Sequence, residues 1–282
     1  MHTLLEPWRQ GLVQRAFLEL AIVGLLGGAL GCWVIFYSFS YSAESLAHAL
    51  FPGLVGAALL GVPLIAGAAV GVAGAAIAIA AVSQVPGLDR DTSVAVVITS
   101  LFGVGVLLAL EPASPPGLAG LLFGDPLGVS TTDLIVSGAL AAVVFVALAF
   151  LHRLLLAVGF DRLNARALGA TPAAADAALL SLVAVAILVG VQALGNLLVL
   201  AVIVGPAATA RLLTRRIVPM MALAGLLAIV GAAAGLYLSY YADTAAGASV
   251  AVAIVALFVL VLIWRALGGL SGLPRAAAAR TS

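Results

Sequence analysis

The chain has 282 residues, 65% of them hydrophobic and only 8% charged, with a formal net charge of +1. A soluble domain carries roughly 25% charged residues, so a water-soluble globule is excluded, and the near-neutral balance offers no basic surplus to a nucleic-acid partner. The basic residues are all arginine, twelve of them, and the single Cys32 lies inside an apolar run where it reads as a small packing residue.

The few charges are clustered, leaving charge-free runs at 20–43, 45–88, 92–110, 134–151, 177–210, 217–242 and 244–264. Each run can hold at least one helix of about 20 residues, enough to cross a bilayer. The polarity does not alternate as barrel strands require. The expected fold is an all-α polytopic membrane protein with eight or nine transmembrane helices. Residues 1–16, with Glu6, Trp8, Arg9 and Arg15, suit an interfacial segment. A first span over 17–36 follows, too long an apolar run for a cleavable signal core. Within it Gly24–Gly28 and Gly27–Gly31 are small residues four apart, which favour close helix packing.

The run 45–88 needs two spans, near 46–62 and 64–82, divided at Gly61-Val62-Pro63. Pro52-Gly53 marks the first of them as a broken or re-entrant piece. A polar loop 83–92 leads to a span at 94–110. Residues 111–131 are rich in proline and glycine, stop helices and lack arginine. Another span covers 134–151, and a polar segment 152–176 comes next, with His152 at its membrane boundary. The run 177–210, about 50 Å if straight, should make two spans turning near Gln192–Asn196. Spans at 218–238 and 246–264 complete the transmembrane unit 17–265, and 266–282 reads as a flexible tail. Placing 152–176, 211–216 and the C-terminus in the cytoplasm puts ten of the twelve arginines inside. Nine spans then leave the N-terminus outside with Arg9 and Arg15, whereas eight spans bring it inside.

Glu44 and His48 are the leading functional candidates. Four apart on a helix, they share a face, and an ionisable residue in a membrane is a functional hypothesis by default. Carboxylate plus imidazole can ligate one divalent ion, with imidazole favouring transition metals. The competing reading has His48 bonded to a backbone carbonyl and Glu44 in the interface. Gln192 and Asn196 are either glue between helices or a wall of a pathway. Pro206 should kink its helix, with Thr209 bonding back to the carbonyl of Gly205. Residues 159–172 suit a short surface helix with Phe160 and Leu163 on an apolar side, Arg162 and Arg166 on a polar one, and Gly169 at its end. No phosphate-binding G-x-x-x-x-G-K-[ST] loop occurs, so the chain is not expected to be an enzyme, and ATP-driven work would belong to another polypeptide.

These residues fall into a pattern. The segments Ala43-Glu-Ser-Leu-Ala-His-Ala-Leu-Phe-Pro-Gly53, Asp91-Thr-Ser-Val-Ala-Val-Val-Ile-Thr-Ser-Leu-Phe-Gly-Val-Gly-Val106 and Leu122-Phe-Gly-Asp-Pro-Leu-Gly-Val-Ser-Thr-Thr-Asp133 stand in order. Phe160-Asp-x-x-x-Ala-x-x-x-Gly169, Leu200–Thr214 and Gly235–Asp243 follow. Over about 17–265 the chain resembles the membrane permease subunits of the bacterial zinc/manganese/iron-uptake ABC transporters. The resemblance implies a bacterial inner-membrane homodimer with the C-terminus in the cytoplasm. It also implies two cytoplasmic ATPase subunits that bind the ATP, an extracellular or periplasmic metal-binding protein, and surrounding lipid. No permanent cofactor is implied; the cargo would be Mn2+, Zn2+ or Fe2+, met by Glu44 and His48 between the two copies. Segment 160–169 (Phe160, Asp161, Arg162, Ala165, Arg166, Gly169) would dock the ATPase. Two departures stand out: the family usually has Asp at the position of Glu44, one methylene or about 1.5 Å shorter, and often two basic residues where this chain has Tyr37-Ser38. The rival readings are a permease for metal chelates such as siderophores or cobalamin, and an ion-coupled secondary transporter, which would show inverted repeats.

Overall fold

A computed structural model describes residues 6–82, 84–85, 90–110, 122, 124–167 and 169–267; of Arg90, Asp91 and Gln192 only the backbone is described. Most of the loops expected at 83–92 and 111–131, and nearly all of the tail 266–282, lie outside these residues. The helices are α1 (Gly11–Phe36), α2 (Ser40–Leu60), α3 (Leu64–Val82), α4 (Arg90–Ala109), α5 (Thr131–Phe160), α6 (Arg162–Ala167), α7 (Pro172–Leu213), α8 (Ile217–Ala242) and α9 (Ala246–Ala266). Among the described residues, nine segments are long and apolar enough to span a membrane, α7 supplying two of them, Pro172–Val191 and Ala193–Leu213.

The turn expected within α7 falls at Gly195, whose φ of 71° and ψ of 165° leave the helical region. The chain reverses there. A Cβ on Gly190 would stand 3.7 Å from the Cβ of Val199, whereas nine residues of straight helix would separate them by about 13.5 Å. Gly195 meets Gly124, also left-handed at φ 73°, backbone to backbone; a Cβ on Gly124 would lie 2.5 Å from the carbonyl oxygen of Ala193 and from the nitrogen of Gly195. Only glycine fits either position. Beside this contact, Asp125 Oδ1 accepts from the N–H groups of Leu127 and Gly128. Ser130 and Asp133 then form a capping box that starts α5.

α1 is the central helix. Its two glycine ridges serve two different neighbours. Gly24 and Gly28 face Ala228 and Ala224 of α8, while Gly27 and Gly31 lie against Ile203 of α7. Such small-residue seams let backbones approach where lipid supplies no hydrophobic drive. α9 closes on α7 and α8, completing a core group of α1, α7, α8 and α9. α3 and α4 pack chiefly on α2 and on each other, and α2 joins them to the core through α7.

Three boundaries differ from the sequence expectation. α2 runs unbroken through Pro52, so there is no re-entrant piece. Gly53 is required instead by a close crossing, since a Cβ there would overlap the carbonyl oxygen of Gly67 on α3. α1 starts at Gly11 rather than 17, preceded by a single 3-10 turn at Pro7–Arg9, because Leu12, Val13 and Ala16 extend its apolar surface past Arg15. α5 continues to Phe160, so His152 is on the helix and packs edge-on against Trp33, 5.3 Å between ring centres. The N-terminal segment is fixed at the far end of α8, where Trp8 Nε1 donates to Tyr237 Oη at 2.6 Å. Arg9 and Arg15 therefore share a face with the turn at 243–245, and α6, the turn at 214–216 and the end of α9 share the opposite face.

Candidate functional site

α2 presents an inner side of Ala43, Ala47, Leu50, Phe51 and Leu54, all buried, and Glu44 and His48 stand together on a neighbouring face. Glu44 is exposed on the flank of the bundle. His48 is half-buried: its ring lies 4.4 Å from that of Phe102 on α4, tilted by 32°, with Phe51 completing the slot at 5.3 Å from Phe102. The Nδ1 atom of His48 is buried and has no hydrogen-bond partner. A buried polar atom left so costs about 1–3 kcal/mol. Among the described residues Nδ1 is not bonded to a backbone carbonyl. Pro52 has no N–H to offer the carbonyl four residues earlier, which is that of His48.

The pair is near one end of its helix. At 1.5 Å per residue, Glu44 is about 6 Å and His48 about 12 Å from Ser40, on the side that bears α6. A cavity of 460 Å³ opens next to this face, lined by Tyr41, Ser42 and Ser45 of α2 and by residues of α3, α4 and α7. Glu44 and His48 are beside it and do not line it. No third acidic, histidine or cysteine side chain joins them among the described residues, so one chain offers an incomplete coordination shell.

Two of the other candidates, Pro206 and Thr209, serve their own helix. Thr209 Oγ1 donates to the carbonyl of Gly205 at 2.9 Å, and Pro206 is buried in a helix that continues past it. Asn196 is only 1% exposed, yet neither its Nδ2 nor its Oδ1 has a partner. It sits in the α7 reversal, on the face opposite α6 and away from Glu44. The side chain of Gln192 lies outside the described residues.

Within the segment 159–172, Arg162–Ala167 folds as a capped surface helix between the end of α5 and the start of α7. Asp161 Oδ1 accepts from the N–H groups of Leu163 and Asn164, both at 2.9 Å. Gly169, at φ 84°, ends it. Arg162 forms a two-pronged bridge to Asp176 at 2.8 and 2.9 Å and rests 5.7 Å above the ring of Tyr37. Tyr37 in turn donates from Oη to the carbonyl of Leu155 at 2.8 Å. Burial pushes the Tyr37 hydroxyl up to about 12, with Asp176 adding to the rise and Arg162 opposing it. Ala165 faces the bundle, whereas Phe160 and Leu163 are 76% and 78% exposed, as is Arg166. Phe160 at the end of α5 and Leu163 of α6 are thus left uncovered among the described residues. One further polar contact is invisible to local pattern: Ser137 Oγ on α5 donates at 2.6 Å to Glu19 on α1, a side chain only 1% exposed and 118 positions away in the chain.

The sequence profile described as "ABC 3 transport family" matches residues 9–265. A probable iron transport system membrane protein of Haemophilus influenzae is 30% identical over 93% of this chain and 96% of its own length. A manganese transport system membrane protein of Synechocystis is 30% identical over 93% of this chain and 86% of its own. Among solved structures, PsaBC from Streptococcus pneumoniae in complex with Fab superposes with a TM-score of 0.85 at 27% identity, covering 90% of this chain and 92% of that one. An inward-facing putative metal-chelate type ABC transporter superposes at 0.63 with 15% identity, a likeness of fold alone.

Proposed function

The chain belongs to the ABC 3 transport family, and from that premise we propose that it is the membrane-spanning permease of an ATP-driven importer of a divalent transition metal, manganese, iron or zinc. The observation that carries the site is the His48 imidazole, with a buried, unpartnered nitrogen on the same face as an exposed Glu44. The transport names of the relatives support the cargo class.

The functional unit is a homodimer. A carboxylate on the outer surface of a membrane helix is costly against lipid, and a second copy of α2 would give it a polar neighbour and double the ligand set to two carboxylates and two imidazoles. Two negative charges offset the charge of an ion that could not cross hydrocarbon alone. An incomplete, exchangeable shell suits a cargo that must leave again.

The face bearing α6 is cytoplasmic, which places ten of twelve arginines inside and both termini on opposite sides of the inner membrane. Residues 111–131 then receive metal from an external binding protein, and the end of α5 together with α6 offers Phe160, Leu163 and Arg166 to an ATPase subunit. ATP hydrolysis belongs to that subunit. An entering ion crosses more than half the membrane before it meets His48, so the pair acts as an inner checkpoint and the outer path lies between the copies.

Uptake of manganese and zinc is measured in vesicles holding this chain, its ATPase and its binding protein. His48→Ala and Glu44→Ala should each abolish ATP-dependent uptake with assembly intact. Unchanged uptake in both variants would remove the pair from the ion path.

A further inference from the structure

On the face that bears α6, the ends of α1, α5, α7 and α8 enclose a cavity of 330 Å³. Its wall is divided. One side is apolar, with Phe36, Phe160 and Met220; the other carries Arg211, Arg215 and Arg216. All three arginines are exposed, and among the described residues none of them forms an ion pair, the Arg162–Asp176 bridge being the one ion pair found there. The carboxylates nearby are committed, Asp176 to Arg162 and Asp161 to the start of α6.

The arginines divide their work. Arg211 donates to the carbonyl of Arg215 at 3.4 Å, and Arg265 to the carbonyl of Leu212 at 3.0 Å. Arg265 thus bonds one of the last carbonyls of α7, and Arg211 a carbonyl of the turn that follows it. Among the described residues, Arg215 and Arg216 are left without an acidic partner at the mouth of an apolar hollow. The hollow lies within about one turn, or 5.4 Å, of four helix ends, the depth at which headgroups meet hydrocarbon.

We propose that this cavity binds an anionic phospholipid, its phosphate held by Arg215 and Arg216 and an acyl chain laid against Phe36, Leu156 and Met220. A free phosphate would use the guanidiniums and leave the apolar wall empty. The acidic surface of a cytoplasmic protein would meet the arginines from outside and would not enter between the helix ends. Basic pockets between helices at the cytoplasmic boundary are suited to such lipids. The inference requires that the chain spans a bilayer and does not depend on the metal reading.

The test is native mass spectrometry of the full chain in detergent, titrated with cardiolipin or with phosphatidylcholine. Cardiolipin should be retained and phosphatidylcholine should not. Arg215→Gln/Arg216→Gln should weaken retention roughly tenfold or more, while Arg9→Gln/Arg15→Gln, with the same loss of charge on the other face, should leave it unchanged. Met220→Trp, which fills the hollow and keeps the charges, should also weaken it, and decides the matter if the arginine variant proves unstable. Equal retention by all variants would overturn the site. Displacement of cardiolipin by millimolar inorganic phosphate would reassign it to a free anion, and displacement by the ATPase subunit to protein docking; either result refutes a lipid site.

Discussion

The crossing of α2 and α3 gives a quantitative test of how the site-bearing helix is held. An alanine Cβ at Gly53 would lie 2.8 Å from the nitrogen of Gly71, against 3.4 Å where ordinary contact begins, and would overlap the carbonyl oxygen of Gly67. The helices must therefore part by at least 0.6 Å, the difference of those two distances, and by more at the carbonyl. The neighbouring turns cannot give way, because a Cβ on Gly71 would itself stand 2.6 Å from the carbonyl oxygen of Ala49. Overpacking of this kind costs about 1–3 kcal/mol. Gly56, also on α2, has nothing within 4 Å of its virtual Cβ, so alanine there should gain about 1 kcal/mol of helix propensity. The propensity gain is common to both positions, so Gly53→Ala and Gly56→Ala should differ by the overpacking cost of about 1–3 kcal/mol, read as several degrees between their melting temperatures by calorimetry of the purified chain in detergent. Gly53→Ala should also reduce metal uptake, since His48 lies just over one turn away on the displaced helix. Equal melting temperatures would refute the close crossing.

Two further outcomes follow from the contacts around α6. Tyr37→Phe removes the buried hydrogen bond to the Leu155 carbonyl and should lower stability by about 1–3 kcal/mol, measured by the same calorimetry; no change would mean that the hydroxyl is not buried against that carbonyl. Arg162→Ala and Asp176→Asn each break a partly exposed bridge worth about 0–1 kcal/mol. Melting should barely move, whereas ATP consumed per metal imported should rise, because α6 loses its tie to α7 and Tyr37. An unchanged ratio would free that bridge of any part in transmission.

Much of the architecture was legible because the bilayer reduces the problem to counting charge-free runs, and Gly61-Val62-Pro63 ends α2 as its turn chemistry requires. The reversal near Gln192–Asn196 was readable for a related reason, since a 34-residue run cannot cross once, and Gly195 supplies the left-handed backbone. Pro52-Gly53 misled because the same dipeptide marks a break in one setting and a close helix crossing in another; only the position of Gly67 distinguishes them. The Glu44–His48 pairing is local and follows from helical spacing. Its setting is not local: Phe102 arrives from α4, and the orphaned Nδ1 exists only once that slot is built. Arg215 and Arg216 counted as topology signals, and nothing in their spacing disclosed the hollow between helix ends.

The arrangement of α2, α3 and α4 has a consequence for how the molecule opens. Because α3 and α4 reach the core chiefly through α2, they can loosen while the glycine seams of α1 with α7 and α8 stay closed. Stability is then graded, with backbone amides of α3 and α4 exchanging with solvent deuterium ahead of those in the core. The helix that bears His48 is the joint between the two tiers, and motion of the outer one arrives there without an intermediary. A spectroscopic label on the outer face of α4, such as at Leu107, which is 74% exposed, would report displacements of the joint without touching the ion's ligands.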